Sequence, residues 1–276
     1  MNKLIISFIF LTLIFSSCCN ELPVEIPEFT PPQKNKIVLI EELTGVRCSN
    51  CPDGAKIIRN IEQKYNGQVI SIAIHAGSLT EPLESSKYDL RCDDGINLEK
   101  SWSYLGKPAA AIDRTIFEEP DIPISGYTSW EQYVGEEFKK DNILNITTTT
   151  KYDTIARKLE IYVSIIPLIN LHGNYKLNVA LTESHIIDSQ TLGNGSIKDD
   201  YEFDNVLRDM ITPWDGLDLG QNLKENDIII KTFKYTLPVD DNLWKPENIK
   251  IISFVTGGEE SALAPVINAS ESKITE

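Results

Sequence analysis

Glu41-Glu42-Leu43-Thr44-Gly45-Val46-Arg47-Cys48-Ser49-Asn50-Cys51-Pro52 is the stretch on which the reading of this chain turns. It joins a run suited to a strand to a run suited to a helix through a Cys-x-x-Cys. Two cysteines three positions apart at a helix start can close a small ring. The first is then expected to face solvent beside backbone N–H groups that lack intrahelical partners, a placement that favours thiolate. Upstream, Ile37, Val38, Leu39 and Ile40 form a branched apolar run, so residues 36–43 read as a strand. Downstream, Ala55, Ile58, Ile61 and Tyr65 recur at helical spacing, and Pro52 is tolerated near a helix start. After Asn66-Gly67, residues 69–74 are apolar on both faces, as a buried parallel strand should be. Together these segments make one βαβ unit.

That unit resembles the thioredoxin superfamily, and two further segments carry the resemblance. Gly106-Lys107-Pro108-Ala109-Ala110-Ala111-Ile112-Asp113 is similar to the family segment in which a cis-proline opposite the dithiol opens a later strand. Glu42, six residues before the first cysteine, stands where several members carry an acid. The resemblance implies an α/β thioredoxin-like domain in which Cys48 attacks a partner disulfide, Cys51 resolves the mixed disulfide, Pro108 faces both sulfurs and Glu42 accepts the Cys51 proton. Arg47 and Lys107 are supporting cations, and His75, at the carboxyl end of the second strand, is a further supporting residue. Each has a plainer reading: Glu42 as a surface carboxylate on an edge strand, Pro108 as a loop proline, His75 as a loop histidine. Cations and the helix start stabilise thiolate whereas an ionised Glu42 opposes it, so the oxidising or reducing direction stays open.

The chain begins Met1-Asn2-Lys3 and continues with a nearly unbroken apolar run over residues 4–15, too short to span a bilayer stably. Phe15-Ser16-Ser17-Cys18 resembles the bacterial lipoprotein cleavage box. Residues 1–17 are therefore expected to be a lipoprotein signal peptide with Cys18 the lipidated residue, and an ordinary signal peptide is the alternative. Cys19 follows where an inner-membrane retention Asp would stand, leaving the outer membrane as the expected location, facing the periplasm or the cell surface. Residues 18–35 carry Pro23, Pro27, Pro31 and Pro32 and read as an extended tether. The 276 residues carry a formal charge of −15 with no basic stripe, which repels phosphate backbones and excludes nucleic acid as a partner.

Residues 78–105 read as an insertion with two weak helical patterns, at 84–90 and 96–104. Cys92 lies within it, either an inert thiol or a partner for Cys48. Asp93-Asp94-Gly95 reads as a solvated turn, because EF-hand ligand spacing is missing. Cys48, Cys51, Cys92 and His75 are suitable zinc donors but lack metal-type spacing, so no metal and no cofactor are expected. Trp130, Val134 and Phe138 repeat every four residues and predict a closing helix over 129–140. From residue 143 onward, short strand-like runs at 146–150, 159–166, 176–182, 228–237 and 249–255 alternate with turns such as Gly193-Asn194-Gly195, which argues for an antiparallel sandwich.

The expected organisation is therefore a signal peptide (1–17), a tether (18–35), a thioredoxin-like domain (36–142) and an all-β sandwich (143–276). Residues 39–45, Cys48 to Pro52, His75-Ala76-Gly77, 108–114, 177–183 and 201–208 together resemble the Omp28-related outer-membrane lipoproteins. This resemblance implies a thioredoxin-like domain followed by an immunoglobulin-like sandwich on a lipid anchor. Relatives carry histidines in the segment matching 201–208, where this chain has Phe203, Asp204 and Asn205, so a metal role does not transfer. The acidic side chains Asp200, Glu202, Asp204 and Asp209 are read as facing water. No Gly-x-Ser-x-Gly, His-Glu-x-x-His or phosphate-cradling loop is present. The functional expectation is a lipid-anchored thiol-disulfide oxidoreductase acting on protein disulfides or dithiols. Its rival is a non-enzymatic surface binding or assembly lipoprotein in which Cys48–Cys51 is a structural cross-link.

Overall fold

Strand β1 (Val38–Thr44) is buried along its whole length, because it is hydrogen-bonded on both edges and covered on both faces. The structure, a computed structural model, describes residues 36–117, 122–240, 242–258 and 264–275. The expected signal peptide (1–17) and tether (18–35), with Cys18 and Cys19, lie outside the described residues.

β1 pairs in parallel with β2 (Val69–His75) and antiparallel with β3 (Ala109–Ile112). Helix α1 (Cys51–Tyr65) makes the crossover and ends at Asn66 in a left-handed conformation (φ 38°), followed by Gly67 at φ 82°. That turn is the one expected of Asn-Gly. Ile58 and Ile61 of α1 and Trp130 and Val134 of α3 (Trp130–Glu137) pack on Val38, Ile40 and Val69. On the opposite face, Leu39, Leu43, Ile70, Ile72 and Ile74 meet Leu98 of α2 (Asp93–Lys100) and, from far along the chain, Ala180, Ile252 and Phe254.

That shared core corrects the expected fold class. A thioredoxin-like α/β domain followed by a separate immunoglobulin-like sandwich is not what forms; the molecule is a β-rich sandwich with fourteen strands and three α-helices among its described residues. A single nine-stranded sheet runs β14-β13-β7-β10-β2-β1-β3-β4, with β11 also paired to β7. Its strands are β4 (Ile124–Ser125), β7 (Leu171–Glu183), β10 (Val206–Met210), β11 (Leu217–Leu223), β13 (Ile249–Gly257) and β14 (Val266–Lys273) beside the three already described. The outer edge of β2 is closed by the later half of the chain, where Ala73 N–H donates to Asn205 O at 2.8 Å and β10 pairs alongside. A parallel strand with an open edge leaves backbone groups unpaired, and β10 supplies the partner.

The other sandwich layer is a three-stranded sheet, β12 (Ile229–Thr236), β6 (Lys158–Pro167) and β5 (Leu144–Asp153). In β6, Leu159, Ile161, Val163 and Ile165 alternate inward onto Leu177, Val179, Leu181 and Ile251. Residues 84–90, one of the two weak helical patterns, form no helix. Asp93-Asp94-Gly95 opens α2 instead of making a turn, and the Asp94 carboxylate accepts Met210 N–H at 3.1 Å.

Buried charges fix β1 just ahead of its start and at its middle. Lys36 Nζ lies 2.8 Å from the Asp113 carboxylate and 2.7 Å from that of Glu137, and Glu41 takes the Arg114 guanidinium at 2.7 Å. Buried charge without a partner is costly, so each of these groups depends on the others.

Candidate functional site

The site starts where β1 stops. Gly45 is required there, since a Cβ would fall 2.4 Å from Leu79 O. The chain then tightens through Cys48 N–H to Gly45 O (3.0 Å) and Cys51 N–H to Cys48 O (3.3 Å). Cys51 opens α1 with Pro52 in its first turn, while Cys48 sits in the preceding loop. The two form a disulfide with Cα atoms 5.4 Å apart.

Both cysteines are only 2 % exposed. The expectation that Cys48 faces solvent is thus overturned, and the covering element comes from residues some 140 positions downstream. β8 (Ile186–Thr191) and β9 (Ile197–Phe203) form a separate two-stranded hairpin. Its Gln190 side-chain amide donates to Cys48 O at 2.9 Å and Gly45 O at 3.4 Å, and Thr191 N–H donates to Val46 O at 2.9 Å.

Glu42 is buried on the α1 side of β1, not on a surface or a sheet edge. A Cβ on Gly54 would come within 3.0 Å of Pro108 and 3.1 Å of Glu42 Oε1, so the missing side chain lets α1 settle onto both. Pro108 follows a cis peptide bond from Lys107 and is buried. Glu42 Oε1 has no hydrogen-bond partner. Burial pushes its carboxyl up to about 8, with Glu62 adding to the rise and the Arg59 guanidinium opposing it. At neutral pH this side chain is an acid holding its proton.

His75 is likewise buried with neither ring nitrogen partnered, its ring edge-on to Phe203 at 5.5 Å. Burial lowers it to about 3, helped by the Lys107 and Arg208 cations and resisted by Asp89, so it is a neutral imidazole. Lys107 donates to the carbonyls of Ala76 and Ser78, and burial brings it down to about 8 although Glu99 pulls the other way. Arg47 turns away onto Glu81 O (2.8 Å) and Pro82 O (2.6 Å). Cys92 is a free thiol at the N-cap of α2, accepting Gly95 N–H at 3.4 Å, and burial raises it to about 11.

Cys51, Glu42 and His75 line one cavity of about 40 Å³, closed by Arg59 from α1 and by Gln190 and Tyr201 from the hairpin. That volume holds a few waters at most. The structure therefore gathers Glu42, Cys51 and His75, sets Pro108 beside Glu42, and leaves Arg47 and Cys92 engaged elsewhere. Gln190, Arg59 and Tyr201 carry no motif; the acidic run of β9 is visible in the sequence, but nothing in it signals contact with the cysteines. Among the described residues, the grouped side chains that could hold a metal ion are His185, Glu202 and Asp204, with ligand atoms within 4.8 Å of one another. They lie at the foot of the hairpin, and the four residues weighed for zinc do not form such a group.

The family model described as outer membrane protein Omp28 matches residues 96–276. The chain belongs to the Omp28 family. It is thus an outer-membrane protein by family, although the match begins within α2 and does not include Glu42, Cys48 or Cys51. No curated protein matches this Omp28 chain. Among solved structures it is similar to HBP35 of Porphyromonas gingivalis, at 15 % identity over 89 % of this chain and 77 % of that one, with a TM-score of 0.63. It is also similar to protein AGR_C_4864 from Agrobacterium tumefaciens, at 14 % identity over 88 % of this chain and 97 % of that one, with a TM-score of 0.51. At such identities the likeness concerns the fold alone.

Proposed function

We propose that this outer-membrane protein is lipid-anchored through Cys18 and that Cys48 and Cys51 exchange electrons with protein disulfides or dithiols. The observation that carries the reading is Glu42, a protonated carboxyl with an unpartnered oxygen lining the same cavity as Cys51. A buried polar group without a partner is expensive, and a structural cross-link has no use for one.

In the reducing direction, the Cys48 thiolate attacks one sulfur of a partner disulfide, forming a mixed disulfide and releasing the other sulfur as thiolate. Cys51 loses its proton to water, because Glu42 already holds one at neutral pH, and attacks Cys48, which closes the Cys48–Cys51 bond and releases the partner's second thiolate; in the reverse direction protonated Glu42 is the acid that supplies Cys51 with its proton. The partner gains two electrons and the protein loses two; an external dithiol must then reduce Cys48–Cys51 for another turn. Run backwards, the same steps oxidise a partner dithiol.

Burial of both sulfurs favours a second reading, in which the disulfide only ties the 45–51 loop to α1. A Cys51→Ser variant discriminates the two. Exchange predicts stable mixed disulfides between Cys48 and partner proteins in intact cells, together with a dithiol potential near that of the exported environment. No trapped partner and a potential far below that range would sink exchange and leave the cross-link. Labelled-lipid incorporation lost in Cys18→Ser tests the anchor.

A further inference from the structure

We propose that the β8–β9 hairpin is a lid over the Cys48–Cys51 disulfide, latched by Gln190, and that it occupies the backbone acceptors an extended polypeptide partner would use. The functional interest of the lid rests on the exchange reading above, but its existence does not.

The hairpin differs from the rest of the sheet structure. Neither of its strands joins the nine-stranded or the three-stranded sheet. Both feet turn in the left-handed region, at His185 (φ 58°) and Asn205 (φ 52°). Its root is held firmly: Ile186 and Phe203 are buried with Val46, Leu90, Val206 and Leu243, and the Asp188 carboxylate accepts the N–H groups of Lys87 (2.8 Å) and Tyr88 (3.0 Å). The tip is different. Residues 193–200 are all exposed, so little burial holds them down. What ties this end to the cysteine loop is Gln190 to Cys48 O and Gly45 O and Thr191 N–H to Val46 O. Gln190 itself is 2 % exposed and spends its amide N–H groups on those carbonyls and on Thr191 O.

The root is therefore a hydrophobic hinge and the tip a polar latch. Lifting the tip while the root stays packed would uncover the cysteine loop and open the cavity behind Cys51. It would also free Val46 O and the second acceptor position of Gly45 O and Cys48 O, which still take Cys48 N–H and Cys51 N–H, a row of acceptors beside the sulfurs. Such a row suits the N–H donors of an extended chain, as in strand addition. Thr191 N–H makes one of those bonds within the molecule, so the lid stands in for the partner until a partner displaces it.

The test is the rate at which tris(2-carboxyethyl)phosphine reduces the disulfide of the mature chain, with no partner protein present, for the unaltered protein and Gln190→Ala. Opening at the latch predicts that Gln190→Ala is reduced roughly three- to tenfold faster, the factor that goes with losing about one net hydrogen bond. In the unaltered protein the rate should rise only weakly with urea, as for a local opening, and amides at 190–198 should exchange faster than those of β7 and β13. Equal rates for the two proteins, a urea dependence as steep as that of global unfolding, or a starting rate equal to that of an unprotected peptide disulfide would each overturn the lid. Because no partner is used, failure to trap mixed disulfides with Cys51→Ser would remove the exchange reading and leave this result standing.

Discussion

Glu42 and His75 face one cavity with their charges suppressed in opposite senses, and the pair sets a pH dependence. Glu42 rises from 4.5 to about 8 and His75 falls from 6.5 to about 3. Between pH 4.5 and 6.5 the unfolded chain carries its proton on His75 and the folded chain carries it on Glu42, so the count is equal and stability is flat. From pH 6.5 to about 8 the folded state holds one more proton, and the pair loses about 2 kcal/mol of stability as pH rises. Below pH 4.5 the unfolded state holds one more, and a similar loss of about 2 kcal/mol follows down to about pH 3. Burial also pushes Asp113 from 3.8 up to about 7, which adds a decline of its own, so the Glu42 effect is read as the difference between the unaltered protein and Glu42→Gln in urea unfolding, which should fall between pH 6.5 and about 8. A difference that stays constant above pH 6.5 would assign the effect elsewhere. Both residues were legible as site candidates, Glu42 from its place six residues before Cys48 and His75 from its strand end. Their neutrality was not, because it comes from packing by Phe203, Tyr201 and α1 that no local pattern encodes.

At the scale of elements, the turn from β1 into α1 depends on contact with the segment at Leu79. Gly45→Ala places a methyl 2.4 Å from Leu79 O, a backbone atom that cannot swing aside. The expected cost is about 2 kcal/mol, the scale of a forced overpacking, measured as a lower thermal midpoint with the disulfide intact. A midpoint unchanged within error would show that the 45–48 loop is free to shift. The βαβ unit itself was readable because period and punctuation agreed: branched apolar runs for β1 and β2, the spacing of Ile58 and Ile61, and the Asn66-Gly67 stop. The hairpin's turn was readable at Gly193-Asn194-Gly195, but its two strands and its place as a cover were not. Where a two-stranded ribbon lies is settled by Ile186 and Phe203 finding Val46 and Leu90, a contact between distant segments. Residues 84–90 show the converse, a helical spacing that the Asp188 carboxylate overrides by taking the amides of Lys87 and Tyr88.

For the whole molecule, the described α-helices all precede residue 143 and the described chain after it holds strands and one 3-10 turn at Pro246–Asn248, yet one sheet runs through both parts. Alternation tells which residues face a core, not whose core it is. Leu39, Ile72 and Ile74 bury against Ile252 and Phe254, and β2 has β10 as its neighbour. A fragment of residues 36–142 expressed alone should accordingly fail to fold cooperatively, exposing that apolar face. Sharp, dispersed amide resonances from the fragment would count against the shared core. One further consequence follows from the Lys36 clamp. With the lipid anchor proposed at Cys18, a pull on the chain ahead of Lys36 would meet the Asp113 and Glu137 carboxylates first and would then be borne in shear by β1, flanked by β2 and β3. Mechanical ground is thus placed upstream of the cysteine loop, so a tug from a membrane would leave the sulfurs undisturbed. In single-molecule pulling from residue 36, Lys36→Met should lower the rupture force, whereas Gln190→Ala should not.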